Sequence, residues 1–92
     1  MNKEIEKILR DIENAKFHMK TAESKLELLD ITKKEDSSIR LKDNNGAGIE
    51  ILLGKEETRI VFKELESHLL AVADANENKI KHLLRKIQTM DI

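Results

Sequence analysis

The stretch Ser38-Ile39-Arg40-Leu41-Lys42-Asp43-Asn44-Asn45-Gly46-Ala47-Gly48-Ile49-Glu50-Ile51-Leu52-Leu53 alternates polar and apolar residues on either side of an Asn-Asn-Gly turn signal. Alternation with period two around such a turn predicts a β-hairpin over residues 38–53. Charge and hydropathy then choose the register. A two-residue Asn45-Gly46 turn would set Leu41 against Glu50 and Lys42 against Ile49, mixing apolar and charged side chains on both faces. A three-residue loop, Asn44 to Gly46 with the glycine left-handed, instead pairs Leu41 with Ile49, Ile39 with Ile51 and Arg40 with Glu50. This second register is the predicted one. It gathers Ile39, Leu41, Ile49, Ile51 and Leu53 on one face, expected to be buried, and leaves Arg40, Lys42, Glu50 and the apolar Leu52 on the other. Two strands alone are marginally stable in water, so the hairpin must lie on helices or join other hairpins.

Upstream, residues 31–37 lose any helical period and form a polar connector. Before it, Ile5, Ile8, Ile12, Ala15, Met19, Ala22, Leu26 and Leu29 follow one another at spacings of 3-4-3-4-3-4-3. That is an unbroken coiled-coil seam and predicts a helix over residues 2–30, about 43 Å long at 1.5 Å per residue. The alanines in the middle of the seam allow close approach of a partner helix. Asn2 is the expected N-cap, with Glu4 in the first turn. A second stripe on the same helix, Phe17, Thr21, Ser24, Leu28 and Ile31, is displaced around the cylinder. It is expected to pack under the central hairpin of the same chain, or to form part of a subunit interface.

Downstream, Phe62, Leu65, Leu69, Val72, Asn76, Ile80, Leu83, Ile87 and Met90 step 3-4-3-4-4-3-4-3. This predicts a helix over residues 55–90, about 52 Å long, whose extra step at Asn76 is a stutter in the heptad. An amide in an apolar seam either is paired and fixes register or faces solvent where the seam opens. Glu56 and Glu57 at the start and Lys79, Lys81, Arg85 and Lys86 near the end suit the helix dipole. Leu70, Ala73 and Leu84 lie off the main seam and, with Val61 and Ala71, make this helix apolar on more than one side. The predicted architecture is mainly α with a β-hairpin: two long antiparallel coiled-coil-like helices joined by a two-stranded hairpin, as one domain over residues 1–92.

Seventeen Lys and Arg against eighteen Asp and Glu leave a net charge of −1, which gives no global attraction to nucleic acid or anionic membrane. Absence of cysteine removes disulfides and thiolate zinc sites. The charged start Met1-Asn2-Lys3-Glu4-Ile5-Glu6 lacks a signal-peptide core, and no stretch reaches the roughly 18 apolar residues of a membrane span. A cytoplasmic protein is the expectation. A 92-residue chain with two aromatics has a marginal core of its own, so a homo-oligomer, dimer or higher, is expected.

Chemistry-bearing motifs are sparse. His18, His68 and His82 show no zinc-binding spacing; Glu64 and His68, one turn apart, offer half a metal site at best. No nucleophile elbow surrounds any serine, and Gly46-Ala47-Gly48 lacks the spacing of a phosphate-binding loop. No catalytic residue, metal or cofactor is assigned. The interface candidates are Phe17, Leu28, Ile31, Leu52, Leu70, Ala73, Asn76 and Leu84. Arg40, Lys42, Arg59, Lys79, Lys81, Arg85 and Lys86 are the candidates for an anionic ligand, with symmetry multiplying their charge.

Gly48-Ile49-Glu50-Ile51-Leu52-Leu53 leading into a charged helix with Leu65, Leu69 and Ile80 resembles a shortened beta-type prefoldin subunit, which implies an assembling chaperone. The likeness lies in the order of elements, and the helices here are much shorter than in that family. Phe62-Lys63-Glu64-Leu65-Glu66 resembles a helical stretch of small phage proteins that sequester cyclic-nucleotide signals, which implies an oligomeric sponge for an anionic small molecule. From the residues themselves the leading expectation is a non-enzymatic homo-oligomer that binds a macromolecular partner. A composition rich in Lys, Glu, Ile and Asn suits a phage or mobile-element accessory or inhibitor.

Overall fold

A computed structural model describes residues 2–32 and 37–90. The elements run α1 (Lys3–Ile31), β1 (Ser37–Lys42), β2 (Gly48–Leu53) and α2 (Lys55–Gln88). The chain is thus two long helices joined by a two-stranded antiparallel hairpin. Of the predicted connector, Ile31 belongs to α1 and Ser37 to β1, and residues 33–36 lie outside the described residues.

Each helix start is held locally. The Asn2 side-chain oxygen accepts from the Glu4 backbone N–H at 2.9 Å, satisfying one of the donors that a helix N-terminus leaves free. At α2 the cap is Gly54, whose N–H donates to the Glu57 carboxylate at 3.4 Å. Along α1 the buried side chains are Ile8, Ile12, Ala15 and Ala22, all from the predicted seam. Ile8 and Ile12 close on Leu83, with Ile80, Ile87 and Met90 around them. Farther along, Ala22 shares a groove with Leu69 and Val72, and Leu26 shares one with Leu70. As positions advance on α1 they retreat on α2, so the helices are antiparallel. The best-buried cluster therefore sits where the start of α1 meets the end of α2.

Within the single chain Asn76 finds a partner for its amide on its own helix. Half-buried, it turns its amide back on its own helix, donating to the Val72 carbonyl at 2.8 Å. Thr58, in the first turn of α2, is fully buried, and its hydroxyl has no hydrogen-bond partner among the described residues.

The hairpin has the predicted register, with Ile39 opposite Ile51, Arg40 opposite Glu50 and Leu41 opposite Ile49. Asp43 builds the turn. Its N–H donates to Ala47 O at 2.8 Å, its carbonyl accepts from Gly46 N at 3.2 Å, and its side chain accepts from Asn45 N and Ala47 N. Gly46 sits at φ 85°, the left-handed geometry expected of it. Gly48 is required for another reason: a Cβ there would overlap the Leu41 carbonyl.

Two packing expectations are corrected. The apolar hairpin face is not buried within the chain, since Leu41, Ile49 and Ile51 are exposed and only Leu53 is buried. Nor does the hairpin cover the second stripe of α1, because its helix contacts are chiefly with α2. Phe17, Leu28 and Ile31 consequently stand 67%, 59% and 76% exposed.

Candidate functional site

The outer face of α1 owes its shape to a second helical period laid beside the seam. Once Ala15 and Ala22 face α2, the residues displaced around the cylinder must face away. Near the end of the helix, Ser24, Glu27, Leu28, Asp30 and Ile31 bound an open groove of about 440 Å³. Leu26, Glu27, Asp30, Glu66 and Leu70 bound a second of about 350 Å³ that bridges to α2. Glu27 and Asp30 belong to both, so leucine and isoleucine side chains are flanked by carboxylates, with no Lys or Arg in either lining among the described residues. Phe17, a few turns earlier, meets the His18 ring edge-on at 5.7 Å.

The hairpin presents the other apolar surface. Leu52, on the polar face, is 82% exposed, and Ile49, on the apolar face, 61%. The polar face carries a shallow cavity of about 290 Å³ lined by Arg40, Lys42, Gly46, Gly48, Ile49 and Glu50. Arg40 is engaged there by Glu50 at 3.6 Å, which reduces its availability for an outside anion.

The remaining candidates are dispersed. Leu70 and Leu84 are 47% exposed on α2, whereas Ala73 and Asn76 are half-buried, Asn76 in a groove shared with α1. Arg59 lies exposed in the first turns of α2, and Lys79, Lys81, Arg85 and Lys86 lie exposed toward its end, separated from it by about 30 Å of helix. Lys81 is paired with Glu77 at 3.5 Å. The structure therefore divides the cationic candidates among three places in one chain and gathers Leu28 and Ile31 in one.

Histidine placement was not legible from spacing along the chain. His18 and His68 line the same groove of about 220 Å³ between the helices, with Thr21, Lys25 and Asn76. Thr21 and Asn76 there already donate to backbone carbonyls of their own helices. For the Glu64–His68 pair, no group of three or more His, Asp or Glu side chains among the described residues is placed to hold a metal ion. Among the same residues no helix is long and apolar enough to cross a membrane. Comparison with protein-family models, with curated proteins and with solved structures finds no match.

Proposed function

We propose that this chain is a non-enzymatic, homo-oligomeric interaction module that acts by binding a macromolecular partner. The observation that carries the reading is the outer face of α1, where Leu28 and Ile31 stand open beside Glu27 and Asp30 and Phe17 is exposed a few turns earlier. Apolar side chains clustered this way mark contact surfaces on soluble proteins. The acidic flank suits a partner segment that presents apolar side chains with lysine or arginine around them. Total accessible surface supports an assembly as well. The chain exposes 7660 Å², against roughly 5,500 Å² for a compact protein of its mass. A standard interface removes about 1,600 Å².

The Lys, Glu, Ile and Asn-rich composition supports an accessory or inhibitory protein of phage or mobile-element type working in the cytoplasm. The sponge reading draws less support, because Arg40 is paired with Glu50 and, Lys42 beside it apart, the other cationic candidates lie elsewhere in the chain. Light-scattering mass on the 10.6 kDa chain at low and high salt tests the proposal, together with a thermal shift against a panel of nucleotides. A multimer at both salt concentrations with no nucleotide shift is expected. A monomer at both overturns the homo-oligomer, and a shift of several degrees with one nucleotide replaces the partner-binding reading with sequestration.

A further inference from the structure

The hairpin is a sheet of two strands among the described residues, so each strand has an outer edge with unpaired backbone groups. Which groups point outward follows from the turn. The bond from Asp43 N–H to Ala47 O makes that pair a hydrogen-bonded one. Alternation then makes Leu41–Ile49 and Ile39–Ile51 hydrogen-bonded pairs, and Arg40–Glu50 and Ser38–Leu52 non-hydrogen-bonded ones. The nearness of the Leu41 carbonyl to Gly48 agrees, since that carbonyl must face β2. On β2, therefore, Gly48, Glu50 and Leu52 aim their N–H and C=O groups away from β1.

A second copy meeting β2 antiparallel across a two-fold axis must set outward residues against outward residues. Three registers satisfy this near the middle of the strand. With Glu50 opposite its own copy, two carboxylates face each other directly, which is destabilising. With Leu52 opposite its own copy, Ile49 loses an apolar counterpart. With Ile51 opposite its own copy, Ile49 faces Leu53 on both sides of the axis and Glu50 faces Leu52. Every residue of the apolar face is then matched, with no like charges directly opposed. The outer edge of β1 offers no equal choice. Setting Arg40 opposite its own copy, or opposite Lys42, opposes cations, and setting Ile39 opposite its own copy leaves Leu41 against Ser37.

We propose that two copies of this chain join through the outer edge of β2, antiparallel, with Ile51 opposite its own copy, forming a continuous four-stranded sheet. This rests on the homo-oligomer reading above and says which surface makes it. The resulting sheet has twice the width, carries Ile39, Leu41, Ile49, Ile51 and Leu53 from both chains on one face, and passes the strand number at which sheets gain independent stability.

The chain contains no cysteine, so single substitutions report unambiguously. In the proposed register position 51 is a non-hydrogen-bonded pair with Cα atoms about 4.5 Å apart, within the range a disulfide spans. Packing of two hairpins face to face would hold the sheets about 10 Å apart and forbid the bond. Ile51→Cys, Glu50→Cys, Leu52→Cys and Ile39→Cys are oxidised separately, then read by non-reducing gel and light scattering. Helical circular dichroism confirms that each variant is folded. Crosslinked dimer from Ile51→Cys, at least tenfold above the other three, is expected. Dominant crosslinking at position 50 or 52 overturns the register, and at position 39 it moves the joint to β1. A multimeric mass with no crosslink at any position overturns the edge while leaving the homo-oligomer intact, and a monomeric mass throughout overturns both.

Discussion

Thr58 shows how a single side chain departs from the pattern around it. It lies four residues before Phe62 and so continues the α2 seam one turn toward the hairpin, yet sequence reading began the seam at Phe62. A threonine set between Glu57 and Arg59 gives no signal in a hydropathy count, although one more step of four would have reached it. Because that hydroxyl is buried with no partner among the described residues, Thr58→Val removes a desolvation cost while keeping the shape. We expect stabilisation by about 1 kcal/mol, read as a higher denaturant midpoint. A lower midpoint would show that the hydroxyl is hydrogen-bonded in solution. Asp43 is a similar omission. Its four turn bonds gave no signal of their own beside the stronger turn residues Asn44, Asn45 and Gly46 that it organises.

Elements were more legible than their packing. The seam from Ile5 to Leu29 and the alternation from Ser38 to Leu53 each have a period that only one kind of element satisfies, so helix, hairpin and register could all be read directly. Periodicity says which face is apolar but not what covers it. That is why the expected cover over Phe17, Leu28 and Ile31 was misplaced. The same limit applied to His18 and His68, which lie fifty positions apart in sequence and share a groove only because the helices run antiparallel. Ala15, 2% exposed, is with Ala22 the most deeply buried residue of the α1 seam. Ala15→Glu introduces bulk and an unpaired carboxylate there, and should cost about 3 kcal/mol or more. Retained helical signal with an unchanged melting temperature would mean that the seam does not face α2 at this position.

The whole molecule is long, with extents of 58 × 29 × 16 Å and a radius of gyration of 18.6 Å, against about 12 Å for a compact domain of this length. Elongation separates its surfaces. The hairpin edge serves self-association in our reading, and the α1 groove serves a foreign partner, so the two should be separable by mutation. Leu28→Ser with Ile31→Ser should leave oligomer mass unchanged and alter stability by less than about 0.5 kcal/mol, since both side chains are already exposed. It should also lower the fluorescence of a bound apolar dye. A large fall in melting temperature, or a halved mass, would show that this stripe is covered within the assembly.

The position of the core also orders events in time. Ile8 and Ile12 find their cluster only when Leu83, Ile87 and Met90 have been made, near the far end of the described chain. The hairpin, whose strands are adjacent in sequence, is complete while much of α2 is still to be synthesised. Contacts between distant positions form slowly and those between neighbours quickly. On a ribosome translating this sequence, the strand edge is thus presented before the helices can close on one another, and neighbouring nascent chains meet first through the surface we assign to self-recognition. Dependence of yield on expression rate would follow from that sequence of events, with assembly beginning before the fold is finished.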